Sequence, residues 1–317
     1  MRRSIVVVGS VNLDLVCTAE RIPAPGETVA GSSFQMFHGG KGANQAVAVG
    51  RLGYPVSMVA KVGDDEFGNR LRQGLRAAGV NVRAVTTVSS TASGVALISI
   101  DRQGQNSITV IPGANGRLLP GDLERALPLL RSAGIILTQL EIPMETVECL
   151  CATAHRLQVP LVLDPAPARQ IPRKMLRQVT FLTPNETETC TLCGIHCRDL
   201  NPATIAEFAQ TLQSKGAPNV IIKMGSNGAY VAGANGLRKM VPAFNVRAVD
   251  TTAAGDAFNG GLSVALMQGK GLEEAVRFSA AVAAVSVTRT GAQPSMPTAR
   301  EVNDLLKRHE MRLIHAV

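Results

Sequence analysis

Tryptophan is absent from this 317-residue chain, and two tyrosines with eight phenylalanines are its only aromatics. Its core must therefore be aliphatic. Apolar runs are short, none near the ~20 residues of a membrane helix. The opening Met1-Arg2-Arg3-Ser4-Ile5-Val6-Val7-Val8 has neither the length of a signal-peptide core nor a cleavage site, so a cytoplasmic protein is expected. Six cysteines are too few for a disulfide scaffold of this length. Dense charge is missing too. The net charge is +8, yet the richest cationic stretch, Arg169 to Arg177, holds four cations in nine residues. That reads as a solvated face, so neither nucleic acid nor a membrane is an expected partner.

With 45% of residues apolar and 18% charged, the composition is globular. Short β-branched runs alternate with longer helical periods. Candidate strands are Ile5–Gly9, Val56–Val62, Gly134–Thr138, Pro160–Asp164, Thr180–Leu182 and Asn219–Met224. Helical periods include Lys41–Leu52, Glu66–Ala78, Met144–Arg156 and Ala203–Lys215. The alternation predicts an α/β three-layer sandwich, a mostly parallel central sheet with helices on both faces. Two stretches break the rhythm. Leu13–Phe37 has no helical period, and Gly94–Ile111 reads as a hairpin around Arg102-Gln103-Gly104-Gln105. Paired, they would make a small separate sheet.

In parallel sheets ligands bind beyond the carboxyl ends of the strands. Asn12 and Asp14, Gln139 and Glu141, Asp164, Asn185 and Glu188, and Lys223 all fall at such ends and predict a polar crevice. The strongest local signal is Asp250-Thr251-Thr252-Ala253-Ala254-Gly255-Asp256, small residues leading into a helical period with Gly260 and Gly261 inside it. A helix start of this kind offers free N–H groups and the positive dipole end to a phosphate. Asp256 in its first turn is placed to take a proton from an attacking hydroxyl. Tight helix–sheet packing is the plain explanation for Gly260 and Gly261.

Gly39-Gly40-Lys41-Gly42-Ala43-Asn44 opens another helix but is not a Walker A loop. Lys223-Met224-Gly225-Ser226-Asn227-Gly228 reads as a strand and a glycine turn. Thr288 to Ser295 forms an irregular loop able to turn carbonyls toward a cation. Cys190, Cys193 and Cys197 beside His196 have a metal-like spacing. They lie in and just beyond a short helix starting near Asn185, on the face a helix buries, where free cysteine is an ordinary core residue. No metal is expected there.

These motifs, with Val7-Gly9-Ser10, Pro25-Gly26-Glu27-Thr28, Gly113-Ala114-Asn115, Pro184 to Glu188 and Gly291 to Ser295, resemble the ribokinase family of carbohydrate kinases. The likeness covers nearly the whole chain. Gly39–Asn44 and Gly291–Ser295 point to the ribokinase branch rather than to adenosine kinase or fructokinase relatives. The resemblance implies transfer of the ATP γ-phosphoryl group to the 5-hydroxyl of D-ribose, with Mg²⁺ on the phosphates and K⁺ as activator. Asp256 would be the base, and the amides of Ala253, Ala254, Gly255 and Asp256 the anion hole. Asn12, Asp14, Gly40, Lys41, Gly42, Ala43, Asn44 and Glu141 would hold the sugar. Asn185, Glu188 and the turn Lys223, Met224, Gly225, Ser226, Asn227, Gly228 would line the nucleotide site, together with Gly255 and Asp256. Asp250, Thr252, Ser286, Arg289, Gly291 and Ser295 would hold the cation.

By the same likeness, residues 13–37 and 94–111 would form a β lid on a body of residues 1–12, 38–93 and 112–317. Ala96 and Val110 would be its apolar contacts with the sugar, and a homodimer would form through the lid. Lys223, Ala257 and His38 depart from the family's usual residues, and His38 leaves the sugar open. Another furanose, such as 2-deoxyribose or a nucleoside, is the alternative substrate. A non-catalytic sensor would have no use for Asp256. A dinucleotide-binding dehydrogenase would need G-x-G-x-x-G where the chain has Gly9-Ser10-Val11-Asn12-Leu13-Asp14.

Overall fold

Both sheets of the molecule grow from one continuous segment. In the computed structural model, which describes residues 3–197, 200, 201 and 203–314, β1 (Ile5–Val8) passes almost directly into β2 (Asn12–Ala19). The chain then forms β3 (Gly31–Gly39), α1 (Lys41–Arg51), β4 (Val56–Gly63), α2 (Glu66–Ala77), β5 (Val80–Val88), β6 (Gly94–Ile100) and β7 (Asn106–Ile111). It continues through α3 (Pro120–Arg125), α4 (Leu127–Ser132), β8 (Ile135–Thr138), α5 (Met144–Leu157), β9 (Leu161–Leu163), α6 (Arg173–Leu176) and β10 (Phe181–Leu182). The remaining elements are α7 (Glu186–Cys193), α8 (Ile205–Ser214), β11 (Asn219–Lys223), β12 (Ala229–Ala232), β13 (Arg238–Val241), α9 (Ala254–Met267), α10 (Leu272–Ser286) and α11 (Ala299–Ile314).

The large sheet runs β13-β12-β11-β10-β9-β8-β1-β4-β5, parallel except for the last hairpins β11–β12 and β12–β13. Its strands are continuous apolar runs because both faces are covered. In β1, Ile5 and Val7 bury against α1, α2, α9 and α10, while Val6 and Val8 enter a second core lined by α3 to α8. Strand order turns at β1, with β4 on one side and β8 on the other. Such a switch point opens a crevice beyond the strand ends. The small sheet, β3-β2-β6-β7, stands over that end. The expected α/β sandwich with a separate small sheet is therefore the observed fold.

The structure adds three strands that periodicity missed. β5 extends one edge, and β12 and β13 turn the other edge antiparallel. Gly260 and Gly261 also have a different reason from the one expected. A Cβ on Gly260 would lie 2.6 Å from Ala48 Cβ, and one on Gly261 2.9 Å from Val282 Cγ2. They allow helix–helix contact of α9 with α1 and α10, not helix–sheet packing. The cysteines correct the sequence reading in part. Cys190 is buried, but α7 stops at Gly194 in a left-handed cap, leaving Cys193 half-buried and Cys197 exposed. Among the described residues no group of three or more His, Cys, Asp or Glu could hold a metal. No described helix is long and apolar enough to cross a membrane.

Candidate active site

A cleft of about 720 Å³ opens at the switch point beneath the small sheet. Asn12, Asp14, Gly40, Lys41, Asn44 and Glu141 line one part of it. Asp14 pairs in register with Ala96, and Ala96 with Val110, so the three form one row across β2, β6 and β7 facing the cleft. Asn185, Glu188, Lys223, Gly225, Ser226 and Gly228 line another part, and Thr252 with Ala253 to Asp256 complete the wall. The first turn of α9 touches both groups. Asp256 accepts from Asn44 at 3.0 Å, while a Cβ on Gly255 would meet only Lys223 Nζ, at 3.4 Å.

The two glycine-rich helix starts differ. At α1 the first N–H groups are already taken. Lys41 N donates to Glu141 Oε2 at 3.0 Å, Gly42 N to Ser10 Oγ at 3.3 Å, and Ala43 N to Ser10 O at 2.8 Å. Gly40 holds φ 85° against the Asn12 backbone, 2.7 Å from where its Cβ would be, so only glycine fits. At α9 the cap is Ala253, in the left-handed region at φ 60°, with no side chain to accept a bond. Gly255 and Asp256 N–H belong to the donors a first turn leaves unpaired.

The side chains of the cleft are charged and buried together. Asp256 is 4% exposed, and burial pushes its carboxyl up to about 6 against the opposing pull of Lys41. Asp14 rises to about 7, from burial first and then from Glu141 and Asp256. Burial works against the charge of Lys41, but Asp256, Asp164, Glu141 and Glu188 together hold its ammonium above its ordinary range. Burial also raises Glu188, which caps α7 reciprocally with Asn185. Lys223 Nζ pairs with Asp164 Oδ1 at 2.9 Å.

Some expected residues lie away from the cleft wall. Met224 is 2% exposed and turns into the core, and Asn227 is exposed in the turn without lining the cleft. Gly42 and Ala43 are buried against Gly9 and Ser10, where they pack α1 onto β1 instead of facing the cleft. Ser286, Arg289, Gly291 and Ser295, at the end of α10 and in the loop after it, do not line the cleft. Asp250 joins that loop to the α9 turn, accepting from Gly291 N at 2.8 Å and from Thr252 N at 2.8 Å.

Three residues at the site escaped the sequence reading as individuals. Asn115 is 1% exposed and donates to Asn12 Oδ1 at 2.7 Å while binding the Val11 backbone. Ser10 donates to Glu141 Oε2 at 2.6 Å. Gln45 reaches both Asp164 and Asp256. Ser10 and Asn115 enter the sequence reading only within motifs and Gln45 only within the helical period Lys41–Leu52, and each acts on a residue at least 100 positions away in sequence.

Residues 2–299 match the family described as pfkB family carbohydrate kinase. The chain is 43% identical to the ribokinase of Bacillus subtilis, over 96% of this chain and 99% of that one. It is 38% identical to a deoxyribokinase of Salmonella typhi, over 96% and 99%. Among solved structures, Arabidopsis thaliana ribokinase complexed with ribose and ATP superposes with a TM-score of 0.90 at 35% identity, over 97% and 99% of the two chains.

Proposed function

The chain belongs to the pfkB family of carbohydrate kinases, and from that premise we propose that it transfers the γ-phosphoryl group of ATP to the 5-hydroxyl of D-ribose. The observation that carries this is Asp256, a buried carboxylate in the open first turn of α9, facing a cleft whose other wall is Asn12, Asp14, Lys41 and Asn44. Asp14 and Glu141 accept from sugar hydroxyls, and Lys41 and Asn44 donate to sugar oxygens. Asp256 takes the proton of the attacking hydroxyl as the new O–P bond forms and the bond from the γ-phosphorus to the bridging oxygen breaks, with ADP leaving. The unpaired amides of the α9 turn receive the charge of the transferring group, aided by the helix dipole. The small sheet, residues 13–37 and 94–111, serves as a lid that lays Ala96 and Val110 on the sugar and keeps water out.

Asn185, Glu188, Lys223, Gly225, Ser226 and Gly228 form the nucleotide side. Mg²⁺ suits this wall. Of the two buried carboxylates on this side, Asp164 is paired with Lys223, and Glu188 is the one that suits a metal held mainly by phosphate oxygens and water. When bound, Mg²⁺ would neutralise charge on the phosphates. A monovalent cation suits the second site. Asp250 lies below the usual carboxylate range, because bonds from Thr252 and Gly291 outweigh its burial, and it joins the two segments that would offer carbonyls. Asp250, Thr252, Ser286, Arg289, Gly291 and Ser295 would hold K⁺, and its effect would be to fix the direction of the α9 amides. The Arg289 guanidinium pairs with Glu301, so its share would be a carbonyl.

The face of the small sheet turned from the cleft exposes Phe34, Leu97 and Ile111, which supports a homodimer through the lid. A cytoplasmic location fits the sugar and ATP it would use. An ADP-release assay over a panel of pentoses, hexoses and nucleosides tests the reading. Ribose should give the highest kcat/KM. A higher value for 2-deoxyribose would reassign the substrate, and no turnover with any sugar would end the kinase reading.

A further inference from the structure

One side chain that the reaction scheme leaves unused touches two of the buried carboxylates of the cleft. Gln45 Nε2 donates to Asp256 Oδ1 at 3.1 Å and to Asp164 Oδ2 at 3.0 Å. A primary amide carries two N–H donors, so a single nitrogen serves both acids. Its direction is fixed from behind, because Gln45 Oε1 accepts from Gln139 Nε2 at 2.7 Å. Gln139 is fully buried, and Gly9 makes room for it: a Cβ there would lie 2.1 Å from Gln139 Oε1. Flipping the Gln45 amide would set its oxygen against two carboxylates and its nitrogen against a donor.

The other ends of this bridge are also occupied. Asp256 Oδ2 accepts from Asn44, and Asp164 Oδ1 from Lys223. A continuous line, Lys223–Asp164–Gln45–Asp256, thus joins the end of β11, the end of β9, α1 and α9. We propose that Gln45 is a positioning residue for the proton-accepting carboxylate, and that it couples Asp256 to the Asp164–Lys223 ion pair. The inference rests on the reading of Asp256 as the base.

The two partners act on Asp256 in opposite senses. The Gln45 donor favours the ionised carboxylate, while the charge of Asp164 disfavours it. Asp256 is also faced by Lys41 from α1 and Asp14 from β2. Glu141 beyond β8 and Glu188 on α7 act on Lys41, and Lys223 offsets Asp164. A side chain that merely filled space between helix and sheet would not produce opposite displacements.

The test compares Gln45→Leu, Gln45→Glu and Asp164→Asn with Asp256→Asn in the full chain, following kcat, both KM values and the acid limb of the pH–rate profile. Gln45→Leu should lower kcat by roughly 10- to 100-fold with each KM within about threefold of wild type. Its acid limb should move to higher pH, and that of Asp164→Asn to lower pH. Gln45→Glu keeps size and polarity but adds a third acid, so its limb should rise at least as far; it carries the test if the leucine variant does not fold. Limbs that stay in place, or move in the same direction for Gln45→Leu and Asp164→Asn, would overturn the proposal while Asp256→Asn is inactive. Wild-type turnover in Asp256→Asn would instead remove the base, and the inference with it.

Discussion

The starts of α1 and α9 look alike in sequence, both glycine-rich turns opening into small-residue helices, yet they are finished in opposite ways. At α1 the backbone donors are consumed by Ser10 and Glu141, so what faces the cleft is side chain: Lys41 and Asn44. At α9 the cap is a bare Ala253, so what faces the cleft is backbone, with Asp256 beside it. A closed helix start can read a pattern of hydroxyls, because side chains differ in donor and acceptor character. An open start cannot discriminate among sugars, but it can stabilise an anion. On the proposed reading, recognition falls to one helix and chemistry to the other.

The sharpest way to break that division is at α9. Asp256→Asn is nearly isosteric and cannot take the proton, so kcat should fall by roughly 10²–10⁴-fold while sugar and ATP still bind. Turnover rates beside calorimetric titrations check this, and near-wild-type kcat would remove Asp256 from the mechanism. With wild-type protein, kcat should decline as pH drops through about 6, where burial places the Asp256 carboxyl.

The α1 side is probed by the substrate. A buried group left without its hydroxyl costs about 1–3 kcal/mol, so 2-deoxyribose should trail ribose by roughly 5- to 150-fold in kcat/KM. Equal values would favour the activity named for the deoxyribokinase relative. Next comes the loop after α10. Replacing K⁺ by Na⁺ or tetramethylammonium at constant ionic strength and saturating Mg²⁺ should slow the rate about tenfold, a loss of ~1.4 kcal/mol in amide alignment. Identical rates in all three salts would dismiss the cation site.

The last effect concerns stability rather than rate. Asp14 titrates near 7 when folded, against 3.8 as the ordinary value. The folded chain therefore holds that proton more tightly, and stability declines as pH rises from about 4 to about 7. Asp14→Asn should raise the melting temperature of the free protein at pH 8, by on the order of 1–2 kcal/mol in stability, with the gain fading toward pH 4. A wild type that melts higher at pH 8 would contradict the burial argument.

What the sequence disclosed follows from how far each signal reaches. Ile5-Val6-Val7-Val8 and Ile221-Ile222 announce strands because both faces of a parallel sheet are buried, a local consequence. The Gly94–Ile111 hairpin was equally visible, turning where Arg102 to Gln105 lie between β6 and β7. The edge strands β5 and β13 were not. Val80–Val88 shows an exposed Asn81 and Arg83, and β13 is only Arg238 to Val241. At the site, Asp14, Lys41, Asn185, Glu188 and Asp256 stood out by residue type at strand ends and helix starts. Gln45 and Asn115 did not, because a buried amide declares its role only through partners 211 and 103 residues away.

The passage from β1 into β2 has a mechanical meaning. Gly9, Ser10 and Val11 alone separate the last residue of one sheet from the first of the other. Asn12 and Asp14 therefore sit at the root of a lever whose far end, at Ala19, lies about 20 Å further out at the usual strand rise. On the proposed lid reading, a sugar that engages Asp14 would pull on the short arm and move the whole small sheet. Recognition and enclosure would then be one movement, and a sugar lacking a hydroxyl would leave the cleft ajar as well as loosely filled. The expected signature is leakage: ATP spent on water in proportion to how poorly the sugar grips.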